Sequence, residues 1–214
     1  MTTNVKLSLS FIAAFLAVVL AIVIVGRLSG HDDAPSGSAP VVRDSSHRLS
    51  TAAIGEVTLV EFLDFECESC RAAYPVVEQL RQEYGQQVTF VMRYFPIPSH
   101  FNSRHAALAV EAAAQQGRLQ PMYRMLFETQ SEWGEQRTSK ANLFRSYAED
   151  LGLDMAVYDA AIADPATDAR IQVDVDDGTA LGVTGTPTFF LNGKIIEPRS
   201  DTDLRTMLDA AVNE

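Results

Sequence analysis

The chain has 214 residues, of which 28 are Asp or Glu and 17 are Lys or Arg, so its formal net charge is −11 at pH 7. Binding of nucleic-acid phosphates needs concentrated positive charge, and no cluster of basic residues occurs, which argues against nucleic acid as a partner. The length suits one sizeable core with a short extension.

The N-terminal part predicts a membrane anchor. Residues 7–25 carry no charge, and residues 11–25 are apolar throughout. A bilayer-spanning helix needs about 17–25 such residues. We therefore predict a short tail over residues 1–6 and a transmembrane anchor over residues 7–26. A cleaved secretory signal is the alternative, but this apolar stretch exceeds the usual ~7–15 residues and no A-x-A cleavage site follows it.

A linker and a folded domain are expected after the anchor. Residues 27–50 are rich in Pro, Gly, Ser and Asp, which is typical of a flexible linker. Residues 51–214 are then left for the folded domain. Translocation signals are N-terminal, and disulfide chemistry suits an oxidising compartment. We therefore expect a single-pass protein of the cell membrane whose folded domain is extracytoplasmic.

The two cysteines form a C-x-x-C motif, Cys67 and Cys70, directly after an apolar strand predicted over residues 57–65. A helix is predicted from Glu68 to Tyr84, so Cys67 lies at a helix N-terminus, where backbone N–H groups stabilise a thiolate. Cys70 lies one turn further on the same face. This arrangement predicts thiol–disulfide exchange, with Cys67 as nucleophile and Cys70 as resolving thiol.

Two other roles for the cysteines are disfavoured. A structural disulfide between them would close too small a loop to contribute much stability. A zinc site needs about four ligands, and none of the four histidines stands at metal-ligand spacing from the motif. We therefore expect neither a metal nor another cofactor.

Glu61 is the third candidate catalytic residue. It interrupts an otherwise apolar face of the strand over residues 57–65. Burial disfavours the charged form of a carboxyl group and raises its pKa. A carboxyl group that titrates near neutral pH could relay a proton to or from Cys70 during exchange. A glutamate at a sheet edge, or one merely satisfied by hydrogen bonds, is the alternative.

Three polar residues around Cys67 are expected to modulate it. Glu66 and Glu68 flank the sulfur, and two carboxylates should raise the pKa of Cys67 and lower the reduction potential of the pair. Ser69 could offset part of this effect by donating a hydrogen bond to the sulfur.

The order of elements predicts an α/β fold. Strand, helix and strand follow one another within residues 57–94, which predicts two parallel strands joined by a crossover helix. A helical block follows. Asn192-Gly193 between two short apolar runs then predicts a hairpin with a type I′ turn, and a last helix begins near Ser200.

Two motifs in this order carry a family resemblance. Phe65-Glu66-Cys67-Glu68-Ser69-Cys70 follows the first strand, and the segment over residues 182–190, Gly-Val-Thr-Gly-Thr-Pro-Thr-Phe-Phe, precedes the hairpin. Together they resemble the DsbA-like branch of the thioredoxin superfamily over residues 54–213. The resemblance implies a thioredoxin fold, βαβ then ββα, with a helical insertion at about residues 99–180.

The resemblance also implies roles for particular residues. It implies a cis peptide bond between Thr186 and Pro187 that faces the cysteines, with the Thr186 backbone binding an extended substrate segment. Glu61 stands at the position of the buried acid of the superfamily.

The function implied is an oxidoreductase that forms disulfides in exported proteins and is reoxidised by a membrane redox partner of the DsbB or vitamin K epoxide reductase type. Glu68-Ser69 replaces the Pro-His of DsbA, which predicts a milder oxidant. A disulfide reductase and, less favoured, a non-catalytic binding or chaperone module are the alternatives. Isomerase relatives carry a dimerisation domain ahead of the thioredoxin part, where this chain has only the predicted linker, and we expect a monomer.

Overall fold

The computed structural model describes residues 39–213. The predicted tail and anchor, and most of the predicted linker, lie outside the described residues. Within residues 39–213, no helix is both long enough and apolar enough to cross a membrane.

A five-stranded mixed sheet forms the centre of the fold, in the order β1-β3-β2-β4-β5. β2 is central, pairing in parallel with β3 and antiparallel with β4. The predicted parallel pair and hairpin are both present, and positive φ at Asn192 (49°) and Gly193 (78°) fits the predicted type I′ turn. The strands are β1 His47–Ser50, β2 Val57–Leu63, β3 Val88–Tyr94, β4 Thr188–Leu191 and β5 Lys194–Ile196.

Seven helices are described within residues 39–213, and five of them form the block between β3 and β4 that the resemblance implied. The first helix starts within the C-x-x-C motif, directly after Cys67, and the last helix follows the hairpin. The helices are α1 Glu68–Tyr84, α2 Ser103–Ala114, α3 Leu119–Trp133, α4 Ala141–Asp150, α5 Met155–Ala163, α6 Pro165–Ala180 and α7 Asp201–Val212.

The sheet is covered on both faces because the central strands are apolar on both faces. On β2, Leu59 and Leu63 pack with the main core, to which α1 and the helical block contribute. Val60 and Phe62 point to the other side and pack in a smaller cluster with Phe190. This alternation with a period of two was the basis for predicting a buried central strand.

The linker boundary at residue 50 was wrong. Residues 47–50 form β1, which pairs antiparallel with β3 at the sheet edge. Further upstream, Arg43 forms an ion pair with Asp177 of α6. The composition of this segment hid its structure, since β1 contributes a single core side chain, Leu49. The folded unit therefore includes the described residues from 39 onward.

Candidate active site

Cys67 lies at the junction of the central strand and the first helix. β2 ends at Leu63, and Cys67 is the N-cap residue of α1, with extended backbone angles (φ −70°, ψ 123°). The Cys70 thiol donates a hydrogen bond to the Cys67 sulfur, and the backbone N–H groups of Ser69 and Cys70 also donate to it. These donors stabilise the thiolate and lower the pKa of Cys67 to about 5.

Cys70 is the opposite kind of thiol. It is fully buried, and burial raises its pKa well above the usual range, helped by its hydrogen bond to Cys67. Both cysteines are free thiols in this structure. The accessible thiolate is suited to act as the nucleophile, and the buried, protonated thiol is suited to act as the resolving cysteine.

Glu61 is buried on β2, with 4% of its surface exposed, as its position on an apolar strand face predicted. Its Oε1 atom has no hydrogen-bond partner among residues 39–213. Burial, followed by the negative charge of Cys67, raises the pKa of Glu61 to about 8. Glu61 is therefore mostly protonated at neutral pH, and its charge, when present, raises the pKa of Cys70.

The loop before β4 faces the cysteines. The peptide bond between Thr186 and Pro187 is cis, as the resemblance implied. The Thr186 carbonyl oxygen lies 3.3 Å from the Cys67 sulfur and accepts a hydrogen bond from it when Cys67 is in the thiol form. The sulfur and this backbone carbonyl therefore border the same approach to the site.

The net shift of the Cys67 pKa is downward, and neither flanking glutamate is among its leading causes. Glu66 is only 3% exposed, and its carboxylate accepts hydrogen bonds from the backbone N–H groups of Asn102 (2.6 Å) and Glu135 (3.1 Å). Glu66 thus holds the helical block to the motif. Glu68 is exposed, where water screens its charge. Ser69 is exposed as well, and acts on the sulfur through its backbone N–H.

A second carboxyl group, which the sequence analysis did not single out, lies at the end of β2. Asp64 is buried, and its Oδ1 accepts from the Glu66 backbone N–H at 2.8 Å. Its Oδ2 accepts from the Ile97 backbone N–H (2.9 Å) and lies 2.7 Å from Nδ1 of His100. Burial raises the pKa of Asp64 to about 6 against the opposing effect of these partners. Its sequence signal was a charged residue between Leu63 and Phe65.

The described geometry defines a class of site. A nucleophilic cysteine at a helix N-terminus, a buried resolving cysteine, a buried acid and a cis-proline loop together form a thiol–disulfide exchange site on a thioredoxin fold.

A sequence model of the family described as thioredoxin matches residues 51–210. The chain belongs to this family. A thioredoxin-like oxidoreductase from Silicibacter pomeroyi superposes with a TM-score of 0.67 at 26% identity, covering 80% of this chain and 95% of that one. Alpha-DsbA1 from Wolbachia pipientis shares the fold with a TM-score of 0.67 at 16% identity, covering 80% of this chain and 93% of that one.

One curated relative is named as an ion antiporter and not as an oxidoreductase. The Na(+)/H(+) antiporter NhaA 3 of Salinispora tropica is 41% identical over 139 residues, which cover 64% of this chain and 20% of the relative. The chain thus spans about a fifth of the length of that relative.

Proposed function

We propose that this chain is a thiol–disulfide oxidoreductase that forms disulfides in exported proteins. The observation that carries the proposal is the lowered pKa of Cys67, about 5, beside a buried Cys70. Stabilising the Cys67 thiolate stabilises the reduced pair relative to its disulfide. The disulfide form is then the stronger oxidant.

The reaction follows from the two unlike thiols. A substrate thiolate attacks the Cys67 sulfur of the oxidised pair, and the electrons of the broken S–S bond pass to Cys70, which takes its proton from Glu61. A second substrate thiolate then attacks the substrate sulfur of the mixed disulfide and releases Cys67 as a thiolate. The Thr186 backbone, beside the Cys67 sulfur, would pair with an extended substrate segment.

The proposed location is the outer side of the cell membrane. The uncharged stretch over residues 7–25 supports an anchor, and the exchange chemistry suits an oxidising compartment. The substrates would be exported proteins with free thiols. A membrane redox partner of the DsbB or vitamin K epoxide reductase type would remove the electrons that the reduced pair holds after each cycle.

A disulfide reductase is the second candidate. It is favoured by the exposed carboxylate of Glu68 directly after the nucleophile, where a cation would better stabilise a thiolate. A non-catalytic binding module is a further alternative, and in that case a Cys67→Ser variant would keep full function in cells.

The first experiment measures the reduction potential of the Cys67–Cys70 pair in the full chain by equilibration with glutathione. A value near or above about −150 mV, towards DsbA, supports the oxidase. A value below about −230 mV, towards thioredoxin, supports the reductase.

A second experiment mixes the oxidised chain with a reduced, unfolded protein and follows the loss of substrate thiols. With a substrate that already contains a disulfide, the Cys67 thiolate of the Cys70→Ser variant should attack that bond and remain trapped as a mixed disulfide, and the Cys67→Ser variant should trap none. Failure of the wild-type chain to exchange thiols would overturn the proposed function.

A further inference from the structure

A cavity of about 390 Å³ opens beside the nucleophile. It is formed where the start of α1 meets the loop that follows β3 and the loop that follows α3. Its lining includes Cys67, Glu68, His100, Phe101, Glu135 and Arg137. A substrate thiol that approaches the Cys67 sulfur from this side would meet these groups.

His100 is held in this cavity by a buried carboxylate. Its Nδ1 lies 2.7 Å from Oδ2 of Asp64, whose side chain is fully buried, while 34% of the His100 side chain is exposed. An ionised carboxylate only accepts hydrogen bonds, so Nδ1 carries a proton. Nε2 then keeps a lone pair in the neutral ring, and among residues 39–213 it has no hydrogen-bond partner.

We propose that His100 takes the proton of the incoming substrate thiol and that Asp64 is the residue that positions it. The inference rests on the proposed function. The substrate S–H bond breaks and its proton passes to Nε2 of His100. The substrate sulfur bonds to the Cys67 sulfur of the oxidised chain, which is the oxidant. The Cys67–Cys70 bond breaks, and its electron pair passes to Cys70.

The other ionisable groups around the cavity are poorly suited to this role. The Arg137 guanidinium only donates hydrogen bonds and has no lone pair to accept a proton. Glu68 and Glu135 are carboxylates, which are weak bases for a thiol whose usual pKa is about 8.5. The Glu66 carboxylate is occupied by two backbone N–H groups. Glu61 is buried on the central strand, and its proposed role is to give a proton to Cys70.

The possible gain from such a base has a clear upper limit. A thiol with a pKa of about 8.5 is about 3% ionised at pH 7, so delivering the thiolate can speed the attack by at most about 30-fold. The gain must shrink as the solution itself ionises the thiol. It should be absent above about pH 9.5.

The test uses His100→Asn, because the asparagine amide can still donate to Asp64 from near the Nδ1 position but offers no Nε2. The rate constant for oxidation of a dithiol peptide by the oxidised full chain is measured from about pH 6 to about pH 9.5. We expect the variant to be about tenfold slower at pH 7 and equal to wild type at the upper end. The reduction potential should not change.

His105→Asn is the matched control, since His105 lies on α2 and lines a different cavity. Its pH–rate profile should follow wild type. A substrate thiol already ionised at pH 7, such as an acidic aromatic thiol, provides a second measurement. With that substrate the tenfold difference between wild type and His100→Asn should disappear.

Two results would overturn the role of His100. One is a His100→Asn profile that coincides with wild type at every pH. The other is a profile lowered by the same factor at all pH values and for both substrates, which indicates a structural role only. These results are distinguishable from failure of the proposed function, in which the wild-type chain would not oxidise the peptide.

Discussion

At the scale of single residues, the site depends on an asymmetry between two thiols of the same motif. Cys67 is placed among hydrogen-bond donors at a helix terminus, whereas Cys70 is withdrawn from water. The largest contribution to the lowered pKa of Cys67 comes from the Cys70 thiol itself. Each cysteine therefore sets the reactivity of the other.

Replacing Cys70 with alanine should raise the pKa of Cys67. The substitution removes a hydrogen bond to a charged group, which is worth about 1.5–3 kcal/mol, or about one to two pKa units. The ultraviolet absorbance of the thiolate, followed against pH, measures this shift. Cys70→Ser keeps a hydroxyl donor and should shift the pKa less. An unchanged midpoint in the alanine variant would contradict the assigned cause.

Replacing Glu61 with glutamine should reduce the fall in the free energy of unfolding that the wild-type chain shows at alkaline pH. The pKa of Glu61 is about 8 in the folded chain, above the usual value of 4.5, so the fold favours the protonated form. The stability that this preference contributes is present below about pH 4.5 and is lost as pH rises through about 8. At about 1.36 kcal/mol per unit, the upper limit of the loss is about 5 kcal/mol.

Urea unfolding of the reduced chain at several pH values measures this effect. The stability of Glu61→Gln relative to wild type should rise steadily between about pH 5 and about pH 8.5. Because both proteins contain Cys67, most of its own titration cancels in the difference. A difference that stays constant with pH would show that Glu61 does not titrate in this range.

The sequence was informative about Glu61 and uninformative about Glu66. A carboxyl group within an apolar strand face is visible in the alternation of that strand alone. The partners of Glu66 are backbone N–H groups of Asn102 and Glu135, which reach it only through tertiary packing. The contact between Asp64 and His100 spans 36 positions and was missed for the same reason.

At the scale of elements, α6 packs tightly at Gly178 against two aromatic rings. A Cβ atom on Gly178 would lie 2.9 Å from the Phe95 ring and 3.0 Å from the ring of Phe62. A glycine inside a helix costs about 1 kcal/mol in propensity, so close packing here offsets a local disadvantage. The helix pattern alone did not reveal this contact.

Gly178→Ala should therefore destabilise the chain despite its better helix propensity. Phe62 is fully buried and cannot move away cheaply, and overpacking a core costs about 1–3 kcal/mol. We expect a net loss of about 1–2 kcal/mol in urea unfolding. Thr179→Ala, at the exposed neighbouring position, should change stability by less than about 0.5 kcal/mol. A more stable Gly178→Ala variant would contradict the packing argument.

Elements with strong local signals were predicted well. β2, α1 and β3 have clear periodicities, and the Asn192-Gly193 turn is set by the conformations those two residues favour. β1 was assigned to the linker because its sequence is mostly polar. In the structure only Leu49 of its residues joins the core. Its pairing with β3 depends on residues about 40 positions away, which no local pattern reveals.

At the scale of the whole molecule, a buried ionic network joins the segment before β1 to the rest of the fold. Arg93 of β3 is fully buried and pairs with Asp174 and Asp177 of α6. It also donates to the backbone carbonyls of Pro40 and Val41. The segment before β1 thus completes the surroundings of a buried charge.

A chain that begins at residue 51 should be much less stable than one that begins at residue 39. It would lack β1, the Arg43 partner of Asp177 and two acceptors of Arg93. Leaving a donor of a buried group without its acceptor costs about 1–3 kcal/mol, and the pairing of β1 is lost in addition. Urea unfolding of the two fragments compares them directly, with the longer one as the control. Equal midpoints would show that residues 39–50 contribute little to folding.

The two hydrogen bonds of the Glu66 carboxylate have a consequence for chimeric proteins. They fasten the loops before α2 and after α3 to the residue that immediately precedes the nucleophile. A helical block transplanted from another family member would have to present two backbone N–H groups at the same places. Otherwise it would leave a buried carboxylate without donors one position from Cys67. A chimera with an exchanged helical block should therefore keep two backbone N–H donors for the carboxylate at position 66.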